Sequence, residues 1–267
     1  MYRKIKMINP TSKKPKVSIM MLAHNCEDYI EYAINSVLEQ TFSDWELIIV
    51  DDYSEDNTYE RIRKYLEDEK IKYFKNEKRK GIPNSRNIAL NKADGEYLAV
   101  LDADDMWCVK EKLEEQVSFL DNNPDYGVIG SSILHINDKN EVYSHKKVRR
   151  SNFMIKIFMP FTSQMLNSTA MTRTEMIRNN EGYVNRLSQD YDLWLSIGSI
   201  SKMKNLDGFY AKYRVHDNNV SVTRRMEQIR SSIKSLKLHK KFTNIIFRQG
   251  GIYFRSIYIC YLKYIKK

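Results

Sequence analysis

The sequence predicts an α/β fold in which a mostly parallel sheet is covered by helices on both faces. Three apolar runs, at 17–22, 46–50 and 97–101, have the length and composition of buried strands. Strands that are buried on both faces form continuous hydrophobic runs, which is typical of parallel sheets. Segments with helical spacing lie between these runs, and this alternation of strand and helix is the pattern of a doubly wound sheet.

Local patterns define the remaining elements. A first helix is indicated by apolar residues that share one face, namely Ile30, Ala33, Ile34, Val37 and Leu38. Capping oxygens for a second helix are offered by Ser54, Asp56 and Asn57. Further along the chain the sequence predicts, in order, a strand, a helix, a second helix and a strand, at 71–74, 85–92, 109–120 and 127–134.

The composition indicates a globular protein with an anionic partner. The chain has 267 residues, of which 42% are hydrophobic and 29% are charged, so it is long enough for a substantial core. Its net charge of +10 favours nucleic acid, an acidic membrane face or a phosphorylated small molecule as partner. Cys26, Cys108 and Cys260 are far apart and form no CxxC pair, so neither a disulfide framework nor a zinc site is predicted. We expect neither a signal peptide nor a membrane-spanning helix.

Carboxylates follow two of the predicted strands directly. Asp51 and Asp52 end the second strand, and Asp102, Asp104 and Asp105 follow the central one. Parallel strands end at the same edge of a sheet, where open α/β folds bind their ligands. Crowded carboxylates repel one another unless a cation lies between them, and hard oxygen ligands suit Mg²⁺ or Mn²⁺. The alternative for any single Asp is a solvated turn or a helix N-cap.

Several segments together resemble glycosyltransferase family 2. They occur in the family's order and cover about residues 16–222: 16–20, 36–42, 45–54, 81–90, 101–105, 189–195 and 213–216. The resemblance implies a GT-A fold, with a nucleotide-sugar-binding half (16–106) and an acceptor half (107–222) in one catalytic domain (16–222). A basic N-terminal lead (1–15) and a basic amphipathic helical tail (223–267) flank this domain.

The resemblance also implies a function. The protein would be an inverting, metal-dependent hexosyltransferase that moves a sugar from a nucleotide-sugar, a UDP-sugar in our interpretation, to a hydroxyl of a saccharide or lipid-linked acceptor. Cell-surface polysaccharide synthesis is the expected process. Mn²⁺ or Mg²⁺ is the expected cofactor, and the reaction would be a single displacement with an Asp base.

Site residues carry over from the family by position in this sequence. Asp190 is the expected catalytic base, and Asp105, Asp104 and His216 are the expected metal ligands. By the same resemblance, Asp102 is expected to be the leading acid of the DxD motif and Asp52 to contact the nucleotide base. The full set expected to contact the nucleotide-sugar is Ala23, His24, Asn25, Asp52, Arg86, Asp102, Ala103 and Asp104.

This sequence departs from the family pattern at two positions, and three assignments keep a structural alternative. Gln189 stands where the family often has Glu, and His24 stands where it often has Tyr. Asp190 is also a suitable helix N-cap, and Arg86 is also suited to a surface salt bridge. A lone His such as His216 is often an ordinary loop or core residue.

The C-terminal tail is basic and aromatic. Beyond residue 221 a single acid, Glu227, stands among twelve Lys and Arg residues, with aliphatic and aromatic residues between them. Such a tail suits an anionic membrane face, which predicts a cytoplasmic protein held peripherally at the inner face of the plasma membrane. The alternative is a tail packed on the catalytic domain or on a second subunit in a homodimer.

Two other functions compete with glycosyl transfer. A sugar-nucleotide nucleotidyltransferase would normally carry a Gly-rich phosphate loop after the first strand, and residues 24–26 are not such a loop. A basic nucleic-acid-binding protein would leave the two sets of carboxylates unexplained. We therefore expect no nucleic-acid partner.

Overall fold

The computed structural model describes residues 14–184, 186–216 and 219–265. All but the last two residues of the predicted N-terminal lead lie outside these ranges, as do Lys266 and Lys267 of the predicted tail. The strands are β1 Val17–Ala23, β2 Trp45–Asp51, β3 Ile71–Lys75, β4 Tyr97–Val100, β5 Met106–Trp107, β6 Tyr126–Ile136, β7 Val142–Lys146, β8 Met171–Arg173 and β9 Lys202–Arg214. The helices are α1 Ile30–Leu38, α2 Thr58–Arg63, α3 Ile82–Lys92, α4 Lys112–Asn122, α5 Asn152–Phe158, α6 Thr174–Arg178, α7 Gln189–Ile200, α8 Val220–Thr223, α9 Arg225–Leu238 and α10 Ile245–Ile265, with a 3₁₀ turn at Asn167–Thr169.

Within the described ranges the nine strands form one sheet, in the order β3-β2-β1-β4-β8-β6-β9-β5, and β7 pairs with β6. The first four strands are parallel to one another, as the sequence predicts. Beyond β4 the sheet is mixed, because β8 runs antiparallel to both β4 and β6 while β9 runs parallel to β6. Strands as short as β5 and β8 carry no periodic pattern, and the sequence predicts neither of them.

Helices cover both faces of the sheet, which confirms the predicted layering. Successive side chains of β1 point to opposite faces, so Ile19 and Met21 lie in one core while Met20 lies in the other. α1 and α4 contribute to the first core through buried residues such as Ile34 and Leu113. α3 and α7 contribute to the second, in which the Trp194 side chain is fully buried. The two cores hold the carboxyl ends of β1, β2 and β4 along one edge.

The C-terminal helices pack on the rest of the protein through one face only. The guanidinium of Arg255 on α10 donates to the carbonyl of Pro160 over 2.7 Å and to the hydroxyl of Ser232 on α9 over 2.8 Å. Gly251 lies so close to Pro160 that a Cβ would meet its atoms at 2.4 Å. The opposite face of α10 is exposed. None of the helices in the described ranges has the length and hydropathy that a membrane-spanning segment requires.

Candidate functional site

A cavity of about 1350 Å³ lies at the edge where β1, β2 and β4 end. The predicted site residues that line it are Ala23, His24, Asn25, Asp52, Arg86, Asp102, Ala103, Asp104, Asp190 and His216. Asp105 is the one predicted site residue that is not part of the cavity wall. The strand order explains this convergence, because β4 and β2 flank β1 and all three run in the same direction.

Asp52 and the loop after β1 form one wall of the cavity. The Asp52 carboxylate accepts hydrogen bonds from the backbone N–H groups of Lys80 (2.7 Å) and Gly81 (2.8 Å) and from the Asn76 amide (2.8 Å). Burial alone would raise the pKa of Asp52, but these hydrogen bonds lower it below the usual value. His24 Nδ1 lies 3.0 Å from the Asp52 carbonyl oxygen. The ionised Asp52 therefore holds the 80–81 turn in place beside the loop.

Asp51, the second acid at the end of β2, has a structural position. Its carboxylate accepts a hydrogen bond from the Ser54 N–H over 2.7 Å and one from the Tyr73 hydroxyl over 2.7 Å. The side chain is fully buried and does not line the cavity. Because neighbouring residues in a strand point to opposite faces, only one acid of the pair reaches the site.

Arg86 lies between two of the predicted carboxylates. Its guanidinium donates to Asp102 over 2.9 Å and to the side-chain oxygen of Gln189 over 2.9 Å, and it stacks on the Tyr183 ring. Burial opposes its charge, but Asp102 and the neighbouring Asp190 raise the pKa of Arg86. The alternative of a salt bridge is therefore borne out in part: Arg86 pairs with Asp102, but it is buried, with only 4% of the residue exposed. The departure at Gln189 is explained as well, because a neutral amide oxygen accepts this hydrogen bond.

Asp104 and His216 converge on one point of the cavity. Asp104 Oδ2 lies 3.1 Å from His216 Nε2 and 3.2 Å from the Asn219 amide nitrogen. The hydrogen bond to Asp104 raises the pKa of His216. The imidazole stacks on the Tyr29 ring at 5.4 Å, and the backbone N–H of His216 donates to Asn219 Oδ1 over 2.6 Å. These contacts hold the ring in place beside Asp104.

This pair fits a divalent cation. Adjacent ligands of an octahedral ion with bonds of about 2.1 Å are about 3.0 Å apart, close to the separation of the Asp104 oxygen and the His216 nitrogen. Among the described residues, no group of three or more His, Cys, Asp or Glu side chains could hold a metal ion. Mg²⁺ is commonly bound through one or two carboxylates, with substrate phosphates and water completing its shell. A site with few protein ligands is therefore suited to a metal that arrives with a phosphorylated substrate.

Asp105 lies behind the cavity wall. Its carboxylate accepts hydrogen bonds from the Ser168 hydroxyl and from the backbone N–H of Arg214, the latter over 2.9 Å. Burial, followed by the nearby Asp104 and Asp102, raises its pKa. The fully buried Arg214 also donates to the Asp104 carbonyl oxygen over 3.0 Å. Asp105 and Arg214 together fix the backbone that presents Asp104 to the cavity.

Asp190 lies in the first turn of α7 and lines the cavity. Burial raises its pKa, and the positive charge of Arg86 partly offsets this effect. The N-cap residue of α7 is Ser188, which directly precedes Gln189, so Asp190 is not the cap. Asp192 points elsewhere, because its carboxylate accepts from Arg186 over 2.8 Å and lies 3.2 Å from His239. Asp190 is the acid of this helix that reaches the cavity.

Other cavity residues have no role as site residues in the sequence interpretation. They come from β7, from the loop before the 3₁₀ turn and from the C-terminal helices, and include Lys146, Phe161, Arg225, Phe254, Arg255 and Tyr258. No local motif marks them, since the fold alone brings these distant segments to the site.

The chain matches the family Glycosyl transferase family 2 over residues 18–181, more than half of its length. It is 32% identical over 236 residues to the UDP-Glc:alpha-D-GlcNAc-diphosphoundecaprenol beta-1,3-glucosyltransferase WfaP of Escherichia coli, covering 86% of this chain and 91% of that protein. WfgD, an enzyme of the same name and organism, is 32% identical over 209 residues, covering 77% and 79%.

Solved structures confirm the predicted GT-A fold. The structure of S. aureus TarS 1-349 in complex with UDP-GlcNAc has a TM-score of 0.69 at 21% identity and covers 89% of this chain and 70% of that one. The mannosyltransferase PcManGT from Pyrobaculum calidifontis, in complex with GDP-Man and Mn²⁺, has a TM-score of 0.68 at 16% identity, with coverage of 93% and 70%.

The contacts of Arg86 predict a stability effect. In Arg86→Met, Asp102 and Gln189 lose a buried charged donor, so we expect the free energy of unfolding to fall by about 2–4 kcal/mol. Urea denaturation measures the change. The control is Arg61→Met, because the Arg61 side chain is 53% exposed; its effect should stay within about 0.5 kcal/mol. Equal stability of the two variants would contradict the role of Arg86 in joining these segments.

Proposed function

The chain belongs to glycosyltransferase family 2, and from this premise we propose that it transfers a sugar from a UDP-sugar to a hydroxyl of a saccharide or lipid-linked acceptor. We propose that the reaction is a metal-assisted single displacement with inversion at the anomeric carbon. The observation that supports it best is the presence in one cavity of the Asp104–His216 pair and of Asp190. A leaving-group site and a base are the two parts that such a displacement needs.

The donor would bind along the ends of β1, β2 and β4. We assign the nucleoside to the wall formed by 23–25 and Asp52, and the diphosphate to the edge formed by 102–104. Arg86 holds Asp102 in place at this edge through its 2.9 Å hydrogen bond. The names of the E. coli relatives specify UDP-Glc as donor, which supports a uridine nucleotide here.

The leaving group needs charge stabilisation. Bound Mn²⁺ or Mg²⁺ would neutralise the negative charge that develops on the diphosphate as the sugar–phosphate bond breaks. We assign the metal to Asp104 and His216. Asp105 has no access to the cavity, so in our proposal it acts through the backbone, together with Arg214, by holding Asp104 in position.

Asp190 would activate the acceptor. Its carboxylate would take the proton of the acceptor hydroxyl while that oxygen bonds to the anomeric carbon and the diphosphate leaves from the opposite face. Burial raises the pKa of Asp190 and so makes it a stronger base than an exposed carboxylate. The positive charge of Arg86 stabilises the ionised form of Asp190. General base catalysis of this kind typically contributes about 10²–10⁴-fold in rate.

We further propose that α10 docks on an anionic membrane surface. Its exposed face carries an apolar and aromatic stripe, which consists of Ile246, Tyr253, Ile257, Tyr261 and Tyr264. The basic residues of α9 and α10 complement anionic lipid headgroups. The names of the E. coli relatives specify an acceptor linked to diphosphoundecaprenol, a lipid, which supports a place at the inner face of the plasma membrane for this chain too.

The first of three predictions from the proposed function concerns the donor and the metal. UDP should raise the melting temperature of the wild type in the presence of Mn²⁺ but much less in its absence, because the metal joins the diphosphate to Asp104. At a hundredfold excess over Kd the stabilisation would be about 2.7 kcal/mol. In Asp104→Asn the Mn²⁺-dependent shift should disappear. Asp207→Asn, which alters a carboxylate whose side chain is 82% exposed, is the control. A metal-independent shift in the wild type would reject the assignment.

The second prediction concerns the base. Asp190→Asn should bind UDP as the wild type does but transfer sugar about 10²–10⁴-fold more slowly, because no carboxylate takes the hydroxyl proton. Transfer is measured as label moved from a UDP-[¹⁴C]sugar into a lipid extract of the source cells. Asp192→Asn, two residues along the same helix, should retain transfer. Full turnover by Asp190→Asn would show that another group is the base.

The third prediction concerns the stripe on α10. The wild type should sediment with vesicles of phosphatidylglycerol and much less with vesicles of phosphatidylcholine. Ile257→Glu combined with Tyr264→Glu should abolish this binding, because charged side chains then replace apolar ones at the lipid interface. The control is Ile200→Glu, since Ile200 is 74% exposed on α7. Loss of a dimer in the double variant, without vesicle binding by the wild type, would instead identify the stripe as a homodimer interface.

A further inference from the structure

Besides the exposed Arg79, three cations in the cavity wall have no part in the proposed mechanism. They are Lys146 at the end of β7, Arg225 at the start of α9 and Arg255 in the middle of α10. Lys146 and Arg225 form no ion pair and no side-chain hydrogen bond with any residue in the described ranges. Cations that lack a counter-ion among the described residues are suited to an anion that comes from outside.

Lys146 lies close enough to the proposed base to be affected by its charge. Burial and the positive charge of Arg255 lower its pKa, whereas the charge of Asp190 raises it. Lys146 therefore lies within electrostatic range of both Asp190 and Arg255. Two cations close together in a partly buried position repel each other, and a bound anion would reverse this cost.

Arg255 is held in one orientation. It donates to the carbonyl oxygens of Pro160 and Met159 and to the Ser232 hydroxyl, and it stacks on the Tyr191 ring at 4.7 Å. These three hydrogen bonds leave two of the five guanidinium N–H groups available. A fixed guanidinium with free N–H groups is the preferred partner of phosphate oxygens.

The wall around the three cations is aromatic. Phe161, Phe254 and Tyr258 line the same cavity, and the Arg225 guanidinium lies over the Tyr258 ring at 5.2 Å. Phe254 is 53% exposed, so the cavity opens to solvent along α10. The exposed stripe of α10 begins beside this opening. An anion with an apolar chain attached would pair with the cations through its charge, and its chain would lie along the aromatic path that leads out of the cavity.

We propose that Lys146, Arg225 and Arg255 form an acceptor subsite, which binds the phosphoryl group that joins the acceptor sugar to its lipid. The inference rests on the proposed function and specifies its acceptor as a sugar phosphate or diphosphate lipid. The phosphoryl group lies among the three cations, the lipid leaves along α10, and the sugar hydroxyl is presented to Asp190. Lys146, Arg225 and Arg255 are binding residues and take no part in the proton transfer.

The test uses decyl diphosphate, below its micelle concentration, titrated calorimetrically into the full-length protein saturated with UDP and Mn²⁺. Saturation blocks the donor site, so any binding reports a second site. The wild type should bind decyl diphosphate, and inorganic diphosphate more weakly, while decyl glucoside, which is neutral, should not bind. Lys146→Gln and Arg225→Gln should each raise the Kd about tenfold and leave the Kd for UDP unchanged.

Matched controls come from the same two segments. Lys147→Gln and Arg230→Gln alter exposed cations that do not line the cavity, so the Kd for decyl diphosphate should not change. Equal affinity of all four variants for decyl diphosphate would overturn the inference. If inorganic diphosphate bound as tightly as decyl diphosphate, the part of the inference that concerns the lipid would be overturned. If the wild type binds UDP but not decyl diphosphate, the subsite alone is rejected; if it does not bind UDP, the proposed function is rejected. Because Arg225 is exposed, its variant remains informative even if Lys146→Gln does not fold.

Discussion

The buried guanidinium of Arg86 is the interaction on which the site depends. It extends from α3 and joins Asp102, after β4, to Gln189, at the start of α7. Without it, Asp102 and Asp190 would repel each other with no positive charge between them. One cation therefore holds the acid edge of the sheet and the helix of the proposed base at a fixed separation. It also joins α3, which lies in the predicted nucleotide-sugar-binding half, to α7, which lies in the predicted acceptor half.

The sequence was sufficient to predict the parallel half of the sheet, and all but one of the predicted site residues line the cavity. Buried parallel strands leave continuous apolar runs, and their ends share an edge, so the positions of Asp52 and Asp102 follow from chain order alone. The family resemblance then placed Asp190 and His216, which lie far away in the sequence. The match to glycosyltransferase family 2 favours glycosyl transfer over the two rival functions.

Other features depend on contacts that no local pattern encodes. Asp104 and Asp105 are adjacent and chemically identical, and only the Ser168 hydroxyl and the Arg214 backbone decide that Asp105 turns away from the cavity. Strand β9 contains charged residues and a glycine, so it lacks the alternation that would identify it as a strand. Lys146 is likewise unremarkable in sequence, and it becomes a cavity residue because β7 folds back on β6.

Helix α10 joins two properties that the sequence presents as alternatives. A basic and aromatic tail was expected either to contact a membrane or to pack on the protein. Helix α10 has 21 residues, and its two opposite faces are different surfaces, so it can do both. Arg255 packs inward on 159–160 while Ile257 and Tyr264 remain exposed. A helix that lines the cavity on one face and meets lipid on the other would bring a membrane-bound acceptor to Asp190 without removing it from the bilayer. That geometry makes the two proposals interdependent, since an acceptor whose phosphoryl group reaches Lys146 must have its lipid at the α10 surface.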